Sequence, residues 1–85
     1  MELKTLFEEA VVNSKTLLEK PSNNILLQLY SLYKQATEGD VNIERPTNLF
    51  DFVAQAKFTS WQDLKGKTKE TAMKEYVDLI EKLKG

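Results

Sequence analysis

Tyr30, Tyr33 and Lys34 stand at positions i, i+3 and i+4 of one periodic stretch, which sets two phenol rings and an ammonium along one side of a helix. Leu26 extends the same stripe by one turn. Such a set suits a flat, anionic ligand: a ring can stack on it, and the hydroxyl and ammonium can donate hydrogen bonds to it. A nucleotide-like group has that shape and charge. The same residues also suit a core edge, with wet phenol hydroxyls and a solvated Lys, and the pattern alone leaves both readings open.

Two further cations stand out. Lys57 falls in the middle of a broad apolar arc, so it either snorkels to the surface along its methylenes or points into a cleft where an anion compensates it. Lys15 borders an apolar face beside Val11 and, taken singly, reads first as a solvated boundary residue.

The chain has no Cys and no His. Disulfides, Cys/His zinc sites, Ser-His and Cys-His catalysis and an imidazole base are therefore excluded. No Gly-rich phosphate loop is present, so any phosphate must be held by side chains. Glu8 and Glu9 fall on the outer side of their helix, while Asp40, Glu44 and Asp51 are placed to cap or to bridge to Arg45. Asp40-Val41-Asn42 does not continue into a calcium-binding loop. These features point to a binder rather than an enzyme, with no cofactor and no metal.

Lys and Arg number 12 against 13 Asp and Glu, a net charge of −1, so no global field draws the protein to nucleic acid or an anionic membrane. Eighty-five residues, 41% hydrophobic and 29% charged, fit one domain spanning 1–85. No apolar run approaches the ~20 residues that cross a bilayer, and the first residues lack the charged-then-apolar pattern of a secretory signal. The expectation is a soluble, cytoplasmic monomer without stable membrane insertion.

Four helices position these residues. The first is predicted over Leu3 to Leu18, with Leu3, Leu6, Phe7, Ala10, Val11, Leu17 and Leu18 on one face, and Lys20-Pro21 stopping it. Ser22 is the expected N-cap of a second helix reaching about Thr37, with Gly39 as an αL residue beyond its end. Ile25, Leu29, Leu32 and Ala36 form its core stripe. The segment 39–48 has no period and reads as a long ordered loop, a feature that usually has a function in so small a domain. A third helix is predicted from about Leu49 to Asp63, then a stop at 64–67, then Thr68 capping a fourth. That last helix turns Ala72, Met73, Tyr76, Val77, Leu79, Ile80 and Leu83 inward.

The string YSLYKQATEGDVNIERP from Tyr30 to Pro46, followed by Ala56-Lys57-Phe58, Trp61 and LKGKTKETAMKEYV from Leu64 to Val77, closely resembles the acyl-CoA-binding protein family. The resemblance runs from Phe7 to the last helix. It implies an all-α, antiparallel, skewed four-helix bundle that binds long-chain fatty acyl-CoA thioesters one-to-one as an intracellular carrier and pool former. On the matching positions, Tyr30, Lys34 and Lys57 would hold the 3′-phosphate of the CoA ribose and Tyr33 would stack on adenine. Tyr76 would contact the head group, and Lys15 and Lys20 lie where the family's helix-one basic contacts fall. The acyl chain would run along a groove beneath the CoA moiety. Transient contact with membranes or acyl-CoA-using enzymes would follow from such a role.

The pattern departs from the family in places. Phe58 stands where many members carry Trp, Val53 and Gln55 replace residues that are often basic, and the loop near Asn48 is one residue longer. Two rival classes compete with this reading. One is a helical protein-interaction module using the Tyr30 and Tyr33 face. The other, an acyl carrier with a covalent phosphopantetheine arm, lacks the Asp-Ser-Leu attachment motif.

Overall fold

The computed structural model describes residues 2–84. Four helices follow in order: α1 Leu3–Ser14, α2 Asn23–Glu38, α3 Phe52–Gln62 and α4 Lys69–Lys84. Helix α2 packs on both α4 and α3, and α1 packs on α4. The result is an all-α four-helix bundle.

Helix α1 ends four residues earlier than its apolar pattern predicts. The Ser14 hydroxyl donates to the Val11 carbonyl at 2.6 Å and the Thr16 hydroxyl to that of Asn13 at 3.0 Å. Hydroxyl residues that bond their own backbone in this way compete with helix continuation, and Val11-Val12-Asn13 are weak helix formers. Leu17 and Leu18 therefore leave the predicted face, and Leu18 is fully exposed at 104%.

Ser22 caps α2 by accepting from the Ile25 N–H at 3.4 Å. Gly39 closes it with its N–H on the Gln35 carbonyl at 3.1 Å. Its φ of 82° is positive, as expected, but its ψ of −149° differs from the expected αL geometry. This region is open essentially to Gly alone, so the glycine requirement is stricter than an αL cap would impose.

Helix α3 begins at Phe52 rather than Leu49. Asn48 explains the delay: its Oδ1 accepts from the Phe50 N–H at 3.0 Å and its carbonyl from the Asp51 N–H at 3.1 Å, a turn that excludes 49 and 50 from the helix. Asp51 then caps α3 through Oδ1 on the Ala54 N–H at 3.1 Å. Thr68 performs the same role for α4, its Oγ1 accepting from the Thr71 N–H at 3.1 Å.

Phe7, Ala10, Leu29, Leu32, Ala36, Ala72, Tyr76 and Ile80 form the core, with Ile25, Met73, Val77, Leu79 and Leu83 packed around it. The expected inward faces of α2 and α4 are those observed. The loop from 39 to 51 is pinned at its start and near its middle. Trp61 Nε1 donates to the Gly39 carbonyl at 2.9 Å, and Asp40 Oδ1 accepts from the Gly66 N–H at 2.8 Å and from Gln35 Nε2 at 2.9 Å. Further along, Arg45 stacks on Phe58 at 4.7 Å and donates to Gln55 at 3.2 Å, Thr59 at 3.4 Å and Gln62 at 3.2 Å. Asp40 and Asp51 thus cap backbone N–H groups.

Candidate functional site

Helix α2 carries the stripe of rings and charge, and its neighbours supply the partners. Tyr30 is half-buried, and the Lys57 ammonium of α3 lies 5.2 Å from its ring centre. Lys57 is exposed on its helix, so it has neither sunk into the apolar arc nor needed burial to reach Tyr30. Lys34 places its ammonium 5.4 Å from the Trp61 ring centre, also on α3. Two cations from two helices therefore rest on aromatic faces at the α2–α3 junction, where a ring quadrupole favours positive charge.

Lys34 has one further partner. Its Nζ lies 2.6 Å from Glu38 Oε2, and Asn42 Nδ2 donates to the other Glu38 oxygen at 3.4 Å. The hydrogen bond from Lys34 holds the Glu38 carboxyl below the usual range, and the same bond raises the Lys34 ammonium above its own. Glu38 escaped the sequence reading, although its i+4 spacing from Lys34 was the signal for it.

Tyr33 and Tyr76 meet through a third ring. Phe7 of α1 stacks on Tyr33 with centroids 6.0 Å apart and takes Tyr76 edge-on at 5.2 Å, while Tyr33 and Tyr76 are 6.5 Å apart. Tyr33 remains 41% exposed, so one side of its ring is open to solvent, whereas Tyr76 is buried. Burial raises the Tyr76 phenol above its ordinary value, with the Ser14 hydroxyl opposing that shift. Phe7 was expected only as a core residue, and its part in holding Tyr33 depends on tertiary packing.

Lys15 and Lys20 flank this set without joining it. Lys15 follows Ser14 at the end of α1, Lys20 lies in the connector before α2, and both are exposed. Among the described residues, no ion pair or ring contact ties either to the others.

Beside the cations runs an apolar groove of about 360 Å³ between α2 and α3. Asn23, Leu26 and Leu27 form one wall and Phe52, Val53 and Ala56 the other, with Lys57 at its edge. Leu26 thus belongs to the groove rather than to the polar platform. Lys57 joins the two, bordering the groove while its ammonium sits over Tyr30.

A family model described as acyl-CoA-binding protein matches residues 4–80. The chain belongs to the acyl-CoA-binding protein family. It is 49% identical over 79 residues to the acyl-CoA-binding protein of Dictyostelium discoideum, covering 93% of each chain. The crystal structure of Oryza sativa acyl-CoA-binding protein 2 superimposes with a TM-score of 0.89 at 40% identity, covering 96% of this chain and 90% of that one. Enoyl-CoA delta isomerase 2 of Rattus norvegicus is 47% identical over 77 residues, which are 91% of this chain but 19% of that enzyme. The family's unit therefore also occurs as a small part of a longer chain. The expected family and its four-helix architecture are both borne out.

Proposed function

We propose that this protein binds long-chain fatty acyl-CoA thioesters and serves as an acyl-CoA carrier and pool former, not as an enzyme. The observation that carries this reading is the adjacency of the Lys34, Lys57 and Tyr30 cluster to the α2–α3 groove, with Lys57 common to both. A ligand with a multiply anionic, flat head and a hydrocarbon tail matches both halves.

In this reading Lys34, Lys57 and the Tyr30 hydroxyl hold the ribose 3′-phosphate, and the open side of Tyr33 stacks on adenine. Tyr76 contacts the head group from the base of the ring cluster. Lys15 and Lys20 contribute longer-range attraction from the α1 end. Each charge-assisted hydrogen bond is worth roughly 1.5–3 kcal/mol, so a few such contacts outweigh the slight net negative charge of the whole chain. The acyl tail lies in the groove, where each methylene removed from water adds about 0.8 kcal/mol. Long chains bind more tightly than short ones for that reason. A chain without Cys or His also presents no thiolate or imidazole to the bound thioester.

Calorimetry with palmitoyl-CoA, free CoA and palmitate tests the reading. The expected order is palmitoyl-CoA far above CoA, with palmitate weakest. Palmitate binding as tightly as its CoA ester would remove the head-group site. Absence of palmitoyl-CoA binding, with a polypeptide captured on the Tyr30 and Tyr33 face instead, would favour an interaction module.

A further inference from the structure

Four large apolar side chains are exposed within five consecutive positions at the start of α3: Leu49 at 73%, Phe50 at 86%, Phe52 at 74% and Val53 at 63%. The fifth position, Asp51, directs Oδ1 into its own helix as the N-cap. Exposed apolar surface gathered in one place marks a contact site more often than scattered exposed residues do. Phe52 and Val53 also form part of the α2–α3 groove, so the patch and the groove are one continuous apolar surface.

We propose that this patch docks on a lipid bilayer, with Leu49 and Phe50 inserted among the headgroups and the mouth of the groove set against hydrocarbon. The inference rests on the acyl-CoA reading for its purpose, but the docking belongs to the patch itself, loaded or not. Three observations select a bilayer as the occupant. From Ile43 to Lys57 the ionisable side chains are Glu44, Arg45, Asp51 and Lys57, which balance, so the attraction is apolar and suits zwitterionic lipid. Four such side chains, mostly exposed, present roughly 550 Å². A stable dimer buries about 800 Å² on each partner, so a second copy is poorly served. Continuity with the groove is the third. A methylene drawn through water lowers the population of the transferring state about fourfold, so a long chain passes far faster where the groove opens onto lipid.

The test uses the full chain with phosphatidylcholine vesicles, comparing it with a Leu49→Ser, Phe50→Ser double variant. Neither residue lines the groove, so the affinity of the variant for palmitoyl-CoA in solution stays within about twofold. The unmodified protein co-floats with the vesicles at low and high salt, and its rate of palmitoyl-CoA transfer rises with vesicle concentration. The variant floats at least tenfold less, and its transfer rate no longer depends on vesicle concentration. Equal flotation of the two, or none by either, overturns the proposal, as does flotation abolished by salt. Self-association of the unmodified protein that the double variant loses would assign the patch to a second copy and overturn it too. If palmitoyl-CoA fails to bind either protein, the acyl-CoA reading falls while flotation of the unloaded protein still decides the docking.

Discussion

Lys34 and Glu38, one turn apart on α2, are joined by a 2.6 Å ion pair directly beside the Trp61 ring. The ammonium assigned to the ligand phosphate thus already carries an anionic partner, and that partner is steadied by Asn42 from the loop. A phosphate entering here must share Lys34 with a carboxylate of like charge. Glu38→Gln is expected to tighten palmitoyl-CoA binding severalfold in calorimetry, because the competitor and its repulsion are both removed. Lys34→Ala is expected to cost about 2 kcal/mol of binding. In the Lys34→Ala background the gain from Glu38→Gln should shrink to the part that comes from relieved repulsion, because no ammonium is left to compete for. The 3′-dephospho ester should bind more weakly than the ester and respond little to either change.

Ala56 lines the groove of the site. Its methyl group forms part of the α3 wall of the groove, with Leu26 and Leu27 on the α2 side. Ala56→Phe fills part of about 360 Å³ with a ring while leaving Lys34 and Tyr33 untouched. Affinity plotted against acyl chain length, rising at up to about 0.8 kcal/mol per methylene in the unmodified protein, should level off at a shorter chain in the variant. Binding of free CoA should stay the same. A parallel loss for every chain length and for CoA would show that the tail does not lie here.

Much of this arrangement was legible in the spacing of residues on single helices. The core stripe of α2, the inward face of α4 and the caps Ser22 and Thr68 all follow from local pattern, and each is found in place. What the pattern could not supply was decided by competition or by distance along the chain. The Ser14 and Thr16 hydroxyls end α1 early, and the Asn48 turn holds Leu49 and Phe50 outside α3. Apolar periodicity counts such residues as helix because it does not weigh side chains that bond their own backbone. The meeting of Lys57 with Tyr30, and of Phe7 with Tyr33 and Tyr76, joins residues on different helices and needs the packed bundle. The family resemblance nominated most of these side chains, though not Phe7, Glu38 or Trp61.

Gln35 and Asp40 tie the end of α2 to the turn before α4. Gln35 is wholly buried, and its Nε2 donates to Asp40 Oδ1 at 2.9 Å and to the Lys67 carbonyl at 2.7 Å. Gln35→Ala deletes both bonds and leaves a small void, a loss of roughly 2–4 kcal/mol that denaturant unfolding would measure. Asp40 adds a pH dependence. The Gly66 N–H, and then Gln35, hold its carboxyl below the usual value, so the folded state binds the Asp40 proton less readily than the unfolded state does. Its contribution is complete above the unfolded pKa, about 3.9, and is lost as pH falls below that toward the lower folded value. Thermal unfolding followed between about pH 5 and pH 3 should therefore show a declining Tm. Asp40→Asn keeps an acceptor oxygen for both donors but has no proton to gain, so its decline should be shallower. Identical slopes for the two proteins would place the acid sensitivity elsewhere, with Glu38, whose carboxyl Lys34 holds down in the same way, the next group to change.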